Sequence, residues 1–441
     1  MFGSLSSGGS KARTIIASAI GNGLEWFDFL SYGLLAGSIA IAFFPDHAPG
    51  SGLILAFATF AVGFAVRPIG GVLLGLYADK AGRRGALALM MGMMSGGSLL
   101  LALAPAYDQI GIAAPLLVVA ARIVQGLSVG GEFAGSATFL VEHAPPGRRM
   151  FYGSFQMCAQ GVGILAASLF IFSLEQTLTP DAFGAWGWRI PFAAGAIIGP
   201  VGLYLRWRVA ETPEFCAPAS KSPAAGSVLR ALRTEAPALR CGIGLIAVGT
   251  AIAYLWHSYL VVYVVHELRL TRTDALLSAS ASGALAVCLY PLAGWLGDRL
   301  GPFRLFLWST AIFAVLTWPL YAWLTGAPDF ERLMAAQLVA TAFLAFISAC
   351  HPGLLTMLFP VKVRTTGVAL CYNFSVLVFG GLAPLTVSWL VARTGSPMMP
   401  AVYQIVVAGL SLLLVLSAPS ARRQALDRNR ATKDNPSSNF R

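Results

Sequence analysis

Charge is what this sequence has least of. Only 11% of its 441 residues are Asp, Glu, Lys or Arg, where a soluble domain carries about 25%. That is too little to cover a 46.4 kDa globule for water. Lysine is scarcer still: Lys11, Lys80, Lys221, Lys362 and Lys433 are all there are, and none stands between Gly and Ser or Thr. The phosphate-cradling G-x-x-x-x-G-K-[ST] is therefore missing, which excludes ATP hydrolysis by a P-loop. The six cysteines, Cys158, Cys216, Cys241, Cys288, Cys350 and Cys371, include no C-x-x-C pair. Scattered mostly through apolar runs, they read as small core residues rather than metal ligands or disulfide partners. No His, Cys and acid cluster has metal spacing, and no nucleophile arrangement occurs. An enzyme is not expected, and no cofactor beyond protons is called for. A cleavable leader is not evident, because the first apolar run is too long and carries Glu25 and Asp28.

What the sequence has is apolar length. Hydrophobic residues make up 57% of it, and the mean hydropathy is +0.72. A helix needs ~20 apolar residues to cross ~30 Å of hydrocarbon. Windows of that kind, broken by charge or by Pro and Gly, predict twelve spans. Six run roughly over Ile15–Phe44, Gly52–Tyr77, Ala86–Leu103, Ile112–Leu140, Phe151–Leu174 and Trp188–Trp207. Six more run over Gly242–Val265, Leu276–Leu296, Phe303–Leu324, Leu333–Phe359, Thr366–Val391 and Pro400–Leu416. The expected class is an all-α polytopic membrane protein: one six-helix bundle over 1–208, a polar linker over 209–240, a second bundle over 241–419 and a tail over 420–441.

The net charge of +11 follows from sidedness. Loops on the side of the N-terminus, with the tail, hold 23 of the 30 basic residues; the opposite loops hold Arg269, Arg272, Arg332 and Arg393. The positive-inside rule places both termini in the cytoplasm of a bacterial-type inner membrane. The surplus is then a topology signal that also meets anionic lipid, and nucleic acid is not needed to explain it. The halves share a motif as well. Gly75 to Arg84 follows span two and Gly294 to Gly301 follows span eight, and both read G-x-x-x-D-[KR]-x-G around Asp79 and Asp298. Two repeats sharing a cytoplasmic hairpin point to a transporter with its site between paired bundles.

At these residues the chain resembles the major facilitator superfamily. Several further stretches resemble its metabolite:proton symporter family, whose members carry citrate, 2-oxoglutarate, shikimate or proline and betaine. They are Gly21-Asn22-x-x-Glu25-Trp26-Phe27-Asp28-Phe29, Arg67-Pro68-Ile69-Gly70-Gly71, Arg122-x-x-Gln125-Gly126, Gly130-Gly131-Glu132, Gly187 to Phe192 and Glu211-Thr212-Pro213. The resemblance covers nearly all of the first half and parts of the second, and it implies the twelve-helix fold and proton-coupled transport. The tail beyond Ala418 has no heptad pattern, unlike the osmosensing branch.

The residues themselves narrow the site. Glu25, Asp28 and Glu132 are the acids well inside spans, where a charge costs at least ~2.5–3.5 kcal/mol and marks a cavity, a pair or a proton relay. Glu25, Asp28 and Tyr32 share one helical face. Arg122 in span four either pairs with Asp28 or Glu25 or grips an anionic solute in a bidentate fork, with Gln125 beside it. A solute that takes Arg122 frees a carboxylate to gain a proton, and that exchange is the expected coupling step. Each charge crossing is worth ~2.3 kcal/mol per 100 mV, so a di- or tricarboxylate calls for two or more protons. Gln156 and Gln160, in a stripe with Tyr152, His257 in span seven and Asn373 in span eleven are further candidates for substrate contact. Gly126, Gly130, Gly131 and Gly135 allow close helix approach. The gate is expected from Asp79, Arg83, Arg84, Glu142 and Asp298. By resemblance Asp79 faces the start of span eleven, while Arg83 reaches Glu142. The reading is a monomeric proton-coupled importer of a small organic acid such as 2-oxoglutarate or citrate. The alternatives are uptake of a zwitterionic osmolyte, or a non-transporting sensor or scaffold.

Overall fold

The computed structural model describes residues 22–23, 25–45, 50–197, 199 and 235–434, without the side chains at 75–76, 78–87, 362 and 429–434. The side chains of Asp79, Arg83 and Arg84, and residues 209–234 of the linker, therefore lie outside the described residues. Every regular element among the described residues is a helix. In chain order α1 is Glu25–Leu34 with Ala36–Phe43, α2 is Ser51–Leu74, α3 Ala88–Leu103, α4 Ala113–Glu142 and α5 Arg149–Thr177. Residues 190–197 form α6. There follow α7 Ala236–His266, α8 Arg272–Leu300, α9 Pro302–Gly326, α10 Phe330–Leu358, α11 Arg364–Thr394 and α12 Met399–Leu416. A final helix, α13, spans Pro419–Asp434. Among the described residues the apolar helices thus fall where the windows place them, most ends agreeing to within a few residues; the start of the first window and the end of the sixth lie outside the described residues.

Helical hydrogen bonding continues from Arg67 to Leu103, through the expected hairpin between α2 and α3, yet this is not one rod. Gly70 packs on the Leu127 backbone of α4, and Met94 receives the Ser128 hydroxyl at 3.6 Å. On a straight helix Gly70 and Met94 would stand roughly 36 Å apart, so the chain reverses between them. Local signals set other ends. Thr271 and Asp329 cap the first turns of α8 and α10, accepting from the amides of Asp274 and Arg332. Gly395, at φ 66°, closes α11 in the left-handed conformation that glycine tolerates.

Burial sorts the helices. The most apolar window of α7 is 83% buried and that of α9 only 33%, so α7 is central and α9 faces lipid through Trp308, Val315 and Trp318. Between the halves α5 and α8 run antiparallel in close register. Ser154 meets Gly294, Gly161 meets Val287 and Leu165 meets Gly283, and Ser280 donates to Ser168 at 3.0 Å. Glycine and serine give the backbones close approach where hydrophobic driving force is absent.

Several central helices are broken. α1 bends by 64° at Leu35, α4 turns at Gly130 and Gly131, and α10 turns at Ala349 and Cys350 ahead of Pro352. Widened π-helical turns interrupt α7 over Leu255–Tyr259 and α11 over Val376–Gly381. Such turns free carbonyls and often mark functional positions; Gln337 fills one need by donating to the Trp256 carbonyl at 2.8 Å. The tail beyond Ala418 docks through buried Ala421 and Ala425. Arg428 donates to the Met357 and Leu358 carbonyls at 3.0 and 2.6 Å, a cation on the negative end of α10.

Of the four glycines expected to bring helices together, two do so. A β-carbon at Gly126 would overlap the Gly63 carbonyl and one at Gly130 the Arg67 carbonyl, whereas Gly131 and Gly135 face open space. Gly126→Ala is therefore expected to cost about 1–3 kcal/mol and lower the melting temperature in detergent by several degrees, while Gly135→Ala leaves it unchanged. Equal melting temperatures for the two variants would refute the close α2–α4 approach.

Candidate functional site

The bend in α1 and the breaks in α4 surround a cluster of ionisable groups that is closed to solvent. Asp28 is 2% exposed and Arg122 fully buried. The two do not touch directly; Gln125 bridges them. Arg122 Nη1 donates to Gln125 Oε1 at 2.8 Å, and Gln125 Nε2 donates to Asp28 Oδ2 at 2.6 Å. The other carboxylate oxygen, Oδ1, accepts from Ser98 of α3 at 2.6 Å. Gly195 of α6 makes room, since a β-carbon there would come within 2.8 Å of Asp28 Oδ1.

Arg122 lies in a box of rings, its guanidinium carbon 4.3 Å from the centroid of Phe29, 4.4 Å from Tyr32 and 5.3 Å from Phe60. Aromatic faces stabilise a desolvated cation by about 2 kcal/mol but accept no hydrogen bond in the guanidinium plane. Nε and Nη2 remain without a partner. These two nitrogens form one edge of the guanidinium, the fork that a carboxylate fills. Beside that edge stands Gly63, whose missing side chain leaves space. Tyr32 is held over Arg122 by its hydroxyl, which donates to the Ala56 carbonyl at 3.2 Å and contacts Thr59 Oγ1.

One turn toward the start of α1, Glu25 pairs with Arg67 at 3.1 Å, both almost wholly buried. Glu132, on the first turn after the α4 break, lies within electrostatic reach of Glu25. The fold makes Arg67 a second site arginine, stacked at 4.4 Å on Phe29 and 4.3 Å on Phe64. The depth of Arg67, set by where α2 crosses α4, carried no periodic signal.

The remaining candidates divide. Gln156 accepts from Ser136 at 2.7 Å, and its carbonyl accepts from Asn22 at 2.9 Å. Gln160 meets the Tyr372 hydroxyl of α11, while Gln156 Nε2 lacks a hydrogen-bond partner. Asn373 donates across the halves to the Gly130 carbonyl at 2.7 Å. His257 is not brought to the acids: it lies within the second half, 3.3 Å from Thr341. Tyr254, one helical turn earlier on α7, instead faces the first half, 5.5 Å from Trp26 and 5.2 Å from Phe64.

The halves touch on both sides of this cluster. On one side Phe133 stacks on Tyr372 at 3.6 Å, and Asp298 accepts from the amides of Met150 and Phe151, each at 3.0 Å. These amides open α5, so the carboxylate sits at a positive helix end. Glu142 pairs with Arg364 of α11 at 2.6 Å, because the α4 end lies over the start of α11; the Arg83 side chain, expected to meet Glu142, lies outside the described residues. On the other side Arg272 of α8 pairs with Glu175 at 2.7 Å and reaches Ser38 and the Leu34 carbonyl at 3.2 and 3.4 Å. There too Gly33 packs on Ser258 and Phe57 on Tyr259, 5.7 Å apart. The arrangement encloses the charged groups.

The comparisons agree with this architecture. Residues 14–246 match the family model described as sugar (and other) transporter. The citrate-proton symporter of Salmonella typhi is 36% identical over 89% of this chain and 91% of its own. The glycine betaine/proline/ectoine/pipecolic acid transporter of Dickeya dadantii is 34% identical over 92% of this chain and 82% of its own. A putative proline/betaine transporter of Staphylococcus aureus (strain COL) is 32% identical over 91% and 87%. Among solved structures a D-xylose-proton symporter superposes with a TM-score of 0.73, at 20% identity, over 93% of this chain and 97% of that one. The chain belongs to the major facilitator superfamily and, within it, to the metabolite:proton symporters.

Proposed function

We propose that the protein imports a small organic acid together with protons by alternating access, that the acid is a di- or tricarboxylate of the citrate or 2-oxoglutarate kind, and that it works as a monomer in a bacterial inner membrane with both termini cytoplasmic. The observation that carries this reading is the open Nε and Nη2 edge of Arg122. A carboxylate fits that edge with two parallel hydrogen bonds, whereas a zwitterion would bring its ammonium into the same box. The citrate-proton symporter likeness supports the acid; the likeness to proline and betaine carriers keeps an osmolyte as the second reading.

Coupling follows from the Gln125 bridge. In the structure Asp28 accepts two hydrogen bonds, an arrangement suited to the ionised form. Ser98 has a second acceptor, the Met94 carbonyl at 3.0 Å. When a solute carboxylate occupies Arg122, the field that holds Asp28 ionised is shared, and Asp28 takes a proton. Its new O–H can donate to Ser98, whose hydroxyl turns to Met94, so no hydrogen bond is left unmade. The linker, the outward or inward rocking of 1–208 against 241–419, and the latches described above complete the cycle. Asp298, which holds two amides at a helix end, is the stronger cytoplasmic latch; Glu142–Arg364 is half exposed and worth about 0–1 kcal/mol.

Three outcomes are expected in proteoliposomes. Asp28→Asn abolishes proton-driven accumulation while solute exchange persists; accumulation at the wild-type level would remove Asp28 from coupling. Arg122→Lys keeps the charge but loses the planar fork, and weakens the apparent affinity for an organic acid by roughly 10- to 100-fold, the worth of one or two charged hydrogen bonds. Unaltered affinity would favour the osmolyte. Asp298→Ala raises the labelling rate of a cysteine placed at Gly353 from the cytoplasmic side more than Glu142→Gln does; the reverse order would make the ion pair the main latch.

A further inference from the structure

Buried donors around the cluster outnumber buried acceptors. Besides Arg122 Nε and Nη2, the unpartnered side-chain nitrogens among the described residues include Arg67 Nε, Trp26 Nε1 and Gln156 Nε2, against the oxygens Asn22 Oδ1 and Thr138 Oγ1. Trp26 and Arg67, from α1 and α2, adjoin the second half: Trp26 lies against Tyr254, and Arg67 lies within reach of Tyr372, whose hydroxyl Gln160 of α5 also meets. A buried N–H without an acceptor costs about 1–3 kcal/mol, so a surplus of donors in one place describes a ligand that brings acceptors. The two guanidinium carbons each lie within 4.4 Å of the Phe29 centroid, which limits their separation to about twice that distance. Charge completes the case. Arg67 and Arg122 are balanced by Glu25 and Asp28, with Glu132 on α4, Tyr254 on α7 and Tyr372 on α11 also facing Glu25. Adding two negative charges to this enclosed set is costly unless two carboxylates are neutralised.

Resting on the reading above, we infer that Arg67 heads a second anion subsite, completed by Gln160 and Trp26. The transported solute is then at least a dianion, one carboxylate on Arg122 and the other on Arg67. The second carboxylate displaces Glu25 from Arg67 as the first draws Arg122 away from the Asp28 relay. Glu25 and Asp28 each take one proton from water, so a dicarboxylate enters with two protons and crosses without net charge. This assigns Glu25 as a second proton carrier rather than half of a fixed brace.

The test is binding of glutarate, tricarballylate and butyrate to the purified full-length protein, followed by thermal shift from pH 5.5 to 8, with betaine and proline as controls. Glutarate and tricarballylate are expected to raise the melting temperature through mass action, and butyrate to bind at least about tenfold more weakly. For the dianion the logarithm of the dissociation constant should rise by two per pH unit near the alkaline end, and by one in Glu25→Gln, whose neutral amide copies the protonated acid. The paired variant Glu25→Gln/Arg67→Gln, which removes both charges and so avoids stranding one, should bind glutarate no better than butyrate. If Glu25→Gln keeps the wild-type pH slope, or the paired variant still prefers glutarate, the second subsite is wrong while the Arg122 reading stands. If Arg122→Gln leaves glutarate binding intact, or only betaine and proline bind, both fail together.

Discussion

A guanidinium without a counter-ion in contact is the feature around which this structure is organised. Arg122 is fully buried, holds one amide oxygen and three aromatic faces, and leaves one edge of its plane unmatched. A cation at that depth costs at least ~2.5–3.5 kcal/mol, and an optimised brace would have placed Asp28 directly on it. The fold interposes Gln125 instead. The glutamine passes polarity between acid and base while keeping the fork open, which makes the pair sensitive to what enters the site. A direct ion pair would be stronger and less responsive, because truncating or displacing one member of a buried contact pair strands the other charge.

The surrounding helices serve this arrangement. Gly63, Gly126 and Gly130 let α2 and α4 approach until Arg67 and Arg122 come to lie against the same ring, Phe29. Serine and glycine along α5 and α8 let the halves approach closely along this seam. The bend of α1, the turns in α4 and α10, and the π-helical turns of α7 and α11 lie on the helices that line or close the cluster. A regular helix satisfies its own backbone and resists bending; one with a freed carbonyl can change its partner. Bistability is thus concentrated where the two halves meet, and the lipid-facing helices such as α9 need only length and hydrophobicity.

Closure on both sides uses unlike contacts. Toward α11 the halves are joined by a carboxylate on helix-opening amides, an exposed ion pair, an asparagine on a carbonyl and stacked rings. Toward the opposite face the joint is Arg272 on Glu175 and on the backbone of α1, with tight packing of Gly33 and Ser258. The exposed pair among them, Glu142–Arg364, is modest. A transporter needs that modesty, since binding energy of a small solute must be able to tip one set against the other.

The alternation of apolar runs and charged loops was sufficient by itself to determine twelve spans, their order and the repeat, because crossing hydrocarbon imposes length and composition on each span separately. It also marked Glu25, Asp28, Glu132 and Arg122, since charges in such runs are expensive wherever the helices happen to pack. Partners were another matter. That Arg67 belongs to Glu25, that Gln125 and Ser98 hold Asp28, that Arg364 meets Glu142, and that His257 turns away while Tyr254 turns in, all depend on how separate helices cross. Helix crossings are fixed by packing between residues distant in sequence, with a glycine here and a widened turn there rotating a face by part of a turn. No single span contains that information, so the membrane dictated the elements one by one, and only their assembly decided which side chains meet.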